Sequence, residues 1–258
     1  MFQSPRFLYL RERGDEAVGN NLKLTSHEVA SRLSYFLWQS TPDDQLLASA
    51  DRNELQGGTQ IAAQVERMMK HPRARASVAH FHEQWLELAK FEEVAKSAKL
   101  FPTFPDVRTA VAEEGRLFLD AAFWQEGTLK GLFTAPYTFV TAPLAKFYGG
   151  IALPAGTAFE KVSVDPAQRG GLLTQGFLLA AISHSDQTST TLRGKFIREK
   201  ILCRPVPAAP MMSPADALGP VKTARELGEK LATNGCSKGC HSKMDPIGFA
   251  LENFDAVG

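Results

Sequence analysis

Two cysteines and a histidine near the C-terminus have the most specific chemistry in this chain. They lie in the segment Cys236-Ser-Lys-Gly-Cys240-His241. In c-type haem proteins two thiols form thioethers with the haem vinyl groups, and the histidine after the second cysteine becomes the proximal iron ligand. The pattern therefore predicts a haem c attached to Cys236 and Cys240, with its iron bound by His241.

The spacing of the two cysteines leaves other interpretations open. Three residues separate them, whereas the usual haem motif has two. Residues i and i+4 of a helix share a face, so both thiols could still reach one haem. The same proximity permits a Cys236–Cys240 disulfide. A zinc site with His241 and a fourth ligand, or two unmodified thiols, are the remaining alternatives.

Charge and hydropathy argue against two classes of partner. The chain has 29 Lys and Arg against 28 Asp and Glu, a net charge of +1. This balance gives no basic surface for nucleic acid or for an anionic membrane. The longest apolar run, from Leu172 to Ile182, is too short to cross a bilayer, so no transmembrane segment is predicted.

The N-terminus and the cysteine count bear on the compartment. Covalent haem attachment normally implies export, but the start of the chain, Met1-Phe-Gln-Ser-Pro-Arg6, does not have the pattern of a signal peptide. The third cysteine, Cys203, lies far from the pair, so the chain is not a disulfide scaffold. We therefore expect a piece of a longer precursor that is exported to the periplasm or the extracellular space.

Helical patterns dominate the elements that would position the motif. Thr25 and Glu28 form a capping box, and apolar residues recur at helical spacing through most of the chain. The segment Tyr137–Val140 is the one convincing strand candidate. The predicted class is mainly α, with two helical domains joined by a Gly/Pro-rich linker.

The domain boundaries follow from composition. Residues 21–152 are interpreted as a helical domain of unknown function. The stretch 153–166 reads as a linker or surface loop. Residues 166–258 form the second domain, which carries the haem motif and is expected to be truncated at its C-terminus. Within it, the proline-rich tether 205–220 contains Met211 and Met212, two candidates for a sixth iron ligand.

Two other polar pairs are predicted to be structural. His80 and His82 lie two positions apart on a helix and so face different directions, which prevents them from sharing a metal ion. Glu113 and Glu114 are predicted to lie on a solvated helix face, with Arg116 as a partner.

The polar loop that begins His184-Ser-Asp186 could suggest a nucleophile and its base. It lacks the strand–elbow–helix context of a hydrolase serine, and we expect it instead to cap the following helix through Ser189 or one of the two threonines after it. No catalytic residue is assigned.

The whole chain resembles a family of multidomain proteins known mainly from planctomycetes. The segment Leu24-Thr-Ser-His-Glu-Val-Ala-Ser-Arg-Leu-Ser-Tyr-Phe-Leu-Trp38 is similar to the start of the domain DUF1592. From Gln168-Arg-Gly-Gly-Leu-Leu-Thr-Gln175 onward the chain is similar to DUF1588, which is classed as cytochrome c-like. The segment Cys240-His-Ser-Lys-Met-Asp-Pro-Ile-Gly-Phe-Ala-Leu-Glu-Asn-Phe-Asp255 continues that match. The opening Gln3-Ser-Pro-Arg-Phe-Leu-Tyr9 resembles the end of a third domain, DUF1595. This resemblance implies that residues 1–20 are the tail of a preceding domain.

The resemblance implies an exported multidomain protein with a c-type haem motif. The family pattern, Cys-x-x-Cys-His before Met-Asp-Pro-x-Gly-Phe, maps onto Cys240 and His241, while Cys236 lies one residue further back. The segment Asp245-Pro-Ile-Gly-Phe249 is expected to form a turn beside the macrocycle, with Phe249 and Leu251 as its contacts.

Three functions remain in competition at this point. The favoured one is single-electron transfer through the covalent haem, to or from a redox partner protein, next to other domains of the same precursor. The second is a non-redox extracellular binding or structural module with a Cys236–Cys240 disulfide. The third is an oxidative enzyme with an open haem position.

Overall fold

The protein is mainly helical. The structure, a computed structural model, describes residues 3–9, 12–152, 154–206, 220–233 and 238–258. Its α-helices are α1 Pro5–Leu8, α2 Ser26–Trp38, α3 Asp44–Asp51, α4 Gly58–Met69, α5 Pro72–Trp85, α6 Ala89–Glu92, α7 Phe104–Ala121, α8 Leu129–Thr134, α9 Ala142–Tyr148, α10 Gly176–Ala181, α11 Thr190–Phe196, α12 Ala224–Thr233 and α13 Lys238–Phe249. Short π-helical turns follow α7 and α11, at Ala122–Glu126 and Ile197–Ile201. Within these described ranges no helix is both long and apolar enough to cross a membrane.

The strands of the described residues form two small antiparallel sheets of two strands each. Strand β1, Glu16–Val18, pairs with β2, Asn21–Lys23. Strand β3, Tyr137–Val140, pairs with β4, Glu160–Ser163. The predicted strand at β3 is therefore confirmed. Its partner β4 lies inside the stretch predicted to be a linker. The sequence did not reveal this strand, because its four residues have largely exposed side chains and therefore show no alternating apolar pattern.

The chain divides into two compact units, residues 1–81 and 82–258. In the first unit the predicted capping box is present. Thr25 accepts a hydrogen bond from the backbone N–H of Glu28, and the Glu28 carboxylate accepts one from the N–H of Thr25. Further backbone hydrogen bonds, above all from Arg13, lower the pKa of Glu28 to about 2. The start of α2 is thus fixed by residues that the sequence identified.

The second unit is built around α7. Its buried apolar face, which includes Val107, Val111 and Phe118, belongs to one core cluster with the buried residues of α10 and with Leu251 and Val257 near the end of the chain. Residues from 82–152 and from 166–258 therefore share one hydrophobic core. The predicted domain boundaries themselves stay a prediction.

Glu114 lies inside this core, and the expectation that it faces solvent was wrong. Its side chain is 0% exposed and accepts hydrogen bonds from the hydroxyls of Thr138 on β3 and Tyr148 on α9. Burial raises the pKa of the Glu114 carboxyl. The neighbouring Glu113 does lie within 3.9 Å of Arg116, as predicted. The sequence could not separate the two glutamates, because the hydroxyls that accommodate Glu114 come from distant segments.

Candidate functional site

The candidate site lies where α11, α12 and α13 pack together, with the backbones of α11 and α13 in direct contact. A Cβ placed on Gly194 of α11 would lie 1.9 Å from the carbonyl oxygen of Met244 on α13. A Cβ placed on Gly248 of α13 would lie 1.8 Å from the carbonyl oxygen of Thr190 on α11. Because no side chain other than hydrogen fits at either position, these two glycines set the separation of the two helices.

The third helix approaches through a glycine as well. A Cβ on Gly228 of α12 would lie 3.1 Å from the ring of Phe249 and 3.2 Å from the carboxylate oxygen Oδ2 of Asp245. Asp245 is consequently enclosed from the α12 side and is 0% exposed. The close packing of three helices has thus placed a carboxyl group in the interior.

Asp245 uses both of its oxygens on neighbours in the site. Its Oδ2 lies 3.0 Å from Nδ1 of His241, one helical turn earlier on α13. Its Oδ1 accepts a hydrogen bond of 2.9 Å from the hydroxyl of Thr191 on α11. The Thr191 oxygen also lies 3.4 Å from Nδ1 of His241. Three side chains from two helices therefore form one hydrogen-bonded cluster.

The cluster identifies which ring nitrogen of His241 carries the proton. The single hydroxyl proton of Thr191 is directed to Asp245, so the Thr191 oxygen can only accept from the imidazole. The carboxylate is also an acceptor, which places the proton on Nδ1 of His241. The side chain of His241 is 19% exposed, and within the described part of the chain only its Nδ1 has a hydrogen-bond partner. Nε2 is therefore left with a lone pair that can bind a metal.

The structure describes one of the two predicted haem-anchoring cysteines. Cys240 lies directly before His241 in α13 and is a free, partly exposed thiol. Cys236 lies outside the described residues, as do Met211 and Met212. The remaining cysteine, Cys203, is free and exposed, and it is not among the residues of the cluster.

The donors fit a haem c in chemical type. A thiol and the adjoining imidazole come from consecutive residues, and Nε2 of the imidazole is available while its Nδ1 lies 3.0 Å from a carboxylate oxygen. Metal-ligating histidines in proteins usually have this second interaction. Among the described residues no group of three or more His, Cys, Asp or Glu side chains is arranged to hold a bare metal ion.

The predicted turn at Asp245-Pro-Ile-Gly-Phe249 is wrong, because α13 continues through this segment and ends at Phe249. Phe249 and Leu251, the two residues expected to contact a macrocycle, have the following surroundings in the structure. The ring of Phe249 lies 4.6 Å from the Arg225 guanidinium, and Leu251 is buried in the core. The sequence suggested a turn because Pro and Gly usually end helices. Here α13 contains Pro246, and Gly248 lies directly against the backbone of Thr190.

Arg193 fixes the chain that follows α13. Its guanidinium is 0% exposed and donates to the backbone carbonyls of Leu251, at 2.6 Å, and Asp255, also at 2.6 Å. It also lies 3.0 Å from the Glu252 carboxylate. The segment after α13 thus wraps around a side chain of α11, the helix that supplies Thr191.

The polar loop before α11 caps that helix, as predicted. The Ser189 hydroxyl accepts a hydrogen bond of 3.2 Å from the N–H of Leu192. The loop also lines a cavity of about 210 Å³ whose wall includes His184, Thr191, Lys222 and Gly228. One face of the hydrogen-bonded cluster is therefore close to an open, mostly polar space.

The histidine pair of α5 is also as predicted. His80 is exposed and His82 is buried, the difference in surroundings that the sequence predicted. Desolvation lowers the pKa of His82, which favours its neutral form.

Sequence reasoning missed Asp245 and Thr191 as members of the site. Asp245 could have been found, since it follows His241 by four positions and such pairs meet on a helix. Thr191 carried no local signal, because its role depends on the packing of α11 against α13.

Comparison with known families identifies both halves of the chain. One family model, described as PSD4: Protein of unknown function (DUF1592), matches residues 24–149. A second, described as PSCyt3: Protein of unknown function (DUF1588), matches residues 169–258. The chain belongs to these planctomycete cytochrome c-like families. The predicted order of DUF1592 and DUF1588 is confirmed, and the His241 cluster lies in the DUF1588 segment.

Neither the curated proteins nor the solved structures gave a match.

Proposed function

We propose that this chain is a segment of an exported c-type haem protein that transfers single electrons. One observation carries the proposal: Nδ1 of His241 lies 3.0 Å from the Asp245 carboxylate, which leaves Nε2 available to iron. The position of the free thiol Cys240, next to His241, supports the same reading. Membership of cytochrome c-like families supports it independently.

In this proposal Cys240, together with Cys236, would hold the haem covalently, and His241 would bind its iron. When bound, the haem would supply a one-electron ferric–ferrous couple between a donor protein and an acceptor protein. The periplasm or the extracellular space is the compartment that goes with this attachment chemistry.

In this proposal the neighbouring residues hold the His241 imidazole, the iron ligand, in one orientation. Asp245 and Thr191 fix the His241 ring through Nδ1. Gly228 lets α12 pack against the carboxylate, which is 0% exposed. A fixed ligand reduces the rearrangement that accompanies a change of iron oxidation state, and such ligand geometry is what supporting residues around metal sites provide.

The test is to express the chain with an export signal in cells that carry the c-type haem maturation genes. After denaturation, the purified polypeptide should retain a haemochrome absorption band and show the added mass of one haem. The variant Cys240→Ala should weaken or abolish this retention. The variant Cys203→Ser is the matched control, because it removes a free thiol outside the cluster, and it should keep the haem.

Other results would support the competing functions. Exported protein without the added mass would overturn the proposal, and a mass two hydrogens below that of the reduced chain would favour the disulfide module. If haem is attached, a low-spin ferric spectrum supports electron transfer. A high-spin spectrum that changes with peroxide would favour an oxidative enzyme.

A further inference from the structure

The geometry points to Asp245 as a positioning residue that makes His241 a strong electron donor and so favours the ferric form of the iron. Thr191 moderates this effect through its own hydrogen bond to the carboxylate. The consequence for iron rests on the proposed function. The hydrogen bond itself is a property of the haem-free chain and can be tested without haem.

The Asp245 carboxylate is shielded from solvent water that would compete for its hydrogen bonds. Asp245 is 0% exposed, and a Cβ placed on Gly228 of α12 would lie 3.2 Å from its Oδ2. A hydrogen bond in such surroundings is electrostatically stronger than the same bond in water. The contact of 3.0 Å with His241 is therefore a persistent interaction of the folded state.

The two hydrogen-bond partners of Asp245 come from different helices. His241 belongs to α13 itself, whereas Thr191 belongs to α11. The contacts of Gly194 and Gly248 hold these two helices at a fixed separation. The carboxylate therefore cannot rotate away from the imidazole without losing the 2.9 Å bond from Thr191.

The Asp245 carboxylate also changes the electron density of the His241 imidazole. A carboxylate that accepts the Nδ1 proton increases the electron density of the imidazole and its basicity at Nε2. A more basic axial ligand stabilises ferric iron relative to ferrous iron. For the couple in which ferric iron takes one electron from a donor protein, this lowers the midpoint potential. The hydroxyl of Thr191 shares the negative charge of the carboxylate and reduces the effect.

The haem-free test uses the full chain produced without maturation genes. Nitrogen-15 NMR of the His241 ring should show the tautomer with the proton on Nδ1 in the wild-type chain. In Asp245→Asn the acceptor is neutral, and the population should move toward the tautomer with the proton on Nε2. A wild-type ring protonated mainly on Nε2 would overturn the inference, whether or not haem can be attached.

The haem-loaded test measures midpoint potentials of the exported chain. Asp245→Asn should raise the potential, by an amount equivalent to about a tenfold change in the ferrous-to-ferric ratio, or ~59 mV for one electron. Asp186→Asn is the control, since it removes one negative charge from an exposed loop position of the same unit. An equal shift in both variants would show that only net charge matters and would overturn the inference.

Thr191 provides a second variant that keeps the inference testable if Asp245→Asn fails to fold. Thr191→Val removes the hydroxyl while preserving the shape of the side chain. The Asp245 carboxylate then accepts a hydrogen bond from His241 alone, so its effect on the imidazole increases and the midpoint potential of the haem should fall. Thr191→Ser keeps the hydroxyl and should restore the wild-type value. A rise in Thr191→Val, or no change, would contradict the role given to the pair. If no haem attaches to any variant, the proposed function fails, while the tautomer measurement still decides the hydrogen bond.

Discussion

Gly194 of α11 lies directly against the carbonyl oxygen of Met244 on α13, and a Cβ at position 194 would lie 1.9 Å from that oxygen. Thr191 is three positions before this contact, and Asp245 follows Met244. The contact between the two backbones therefore determines how far the Thr191 hydroxyl is from the Asp245 carboxylate. A glycine with no chemistry of its own sets the geometry of the site.

The first prediction concerns Gly194→Ala. Helix propensity alone would stabilise the variant by about 1 kcal/mol. The added methyl group cannot fit against backbone, however, so α11 and α13 must separate, and we expect a net loss of about 1–3 kcal/mol. Urea unfolding followed by circular dichroism gives the free energy of unfolding.

Gly239→Ala is the matched control for this experiment. Gly239 lies in α13, and no atom of the described residues is within 4 Å of a Cβ placed there. Its free energy of unfolding should stay the same or rise slightly. A Gly194→Ala variant as stable as this control would show that the two helices tolerate a wider separation.

The second prediction concerns the buried guanidinium of Arg193. Arg193→Met should lower the free energy of unfolding by about 3 kcal/mol or more, because the variant leaves the carbonyls of Leu251 and Asp255 and the Glu252 carboxylate without their buried donor. Amide hydrogen exchange should become faster in residues 251–257. Lys195→Met, an exposed position on the same helix, should change neither quantity. Unchanged exchange in Arg193→Met would mean that other contacts fix this segment.

The third prediction is a pH dependence caused by Glu114. Burial raises the pKa of this carboxyl in the folded chain above the ordinary value that it regains on unfolding. Between those two pKa values the unfolded chain has released the proton and the folded chain has kept it. The free energy of unfolding therefore falls as pH rises through that interval, by at most about 1.4 kcal/mol per pH unit.

Glu114→Gln should remove this fall, because the amide is neutral at every pH and can still pair with the hydroxyls of Thr138 and Tyr148. The measurement is a series of urea unfolding curves from pH 5 upward, compared with the wild-type chain. Glu113→Gln is the control, since that side chain is 43% exposed, and its pH profile should follow the wild-type profile. Parallel curves for Glu114→Gln and wild type would contradict the prediction.

The parts of the fold that the sequence predicted are those encoded by neighbouring residues. The capping box of Thr25 and Glu28, the strand Tyr137–Val140 and the cap at Ser189 each depend on a few consecutive positions. Local hydrogen bonding and side-chain periodicity act over the same range, so the patterns were sufficient.

The parts that were missed depend on packing between distant segments. Glu114 is buried because α9 and β3 bring Tyr148 and Thr138 to it, and no pattern around position 114 shows this. Asp245 was missed for a related reason, since Pro246 next to it suggested a turn. Its burial requires the close approach of Gly228 from α12.

Arg193 and Thr191 project from the same seven-residue helix, one toward the end of the chain and the other toward the imidazole. A shortened version of this chain that stops before Asp255 would keep every residue of the His241 cluster. It would, however, remove the Asp255 carbonyl that accepts a hydrogen bond from the Arg193 guanidinium. Helix α11, which also carries Thr191, would then be held less firmly beside the imidazole. Any minimal fragment designed for spectroscopy should therefore extend at least through Asp255.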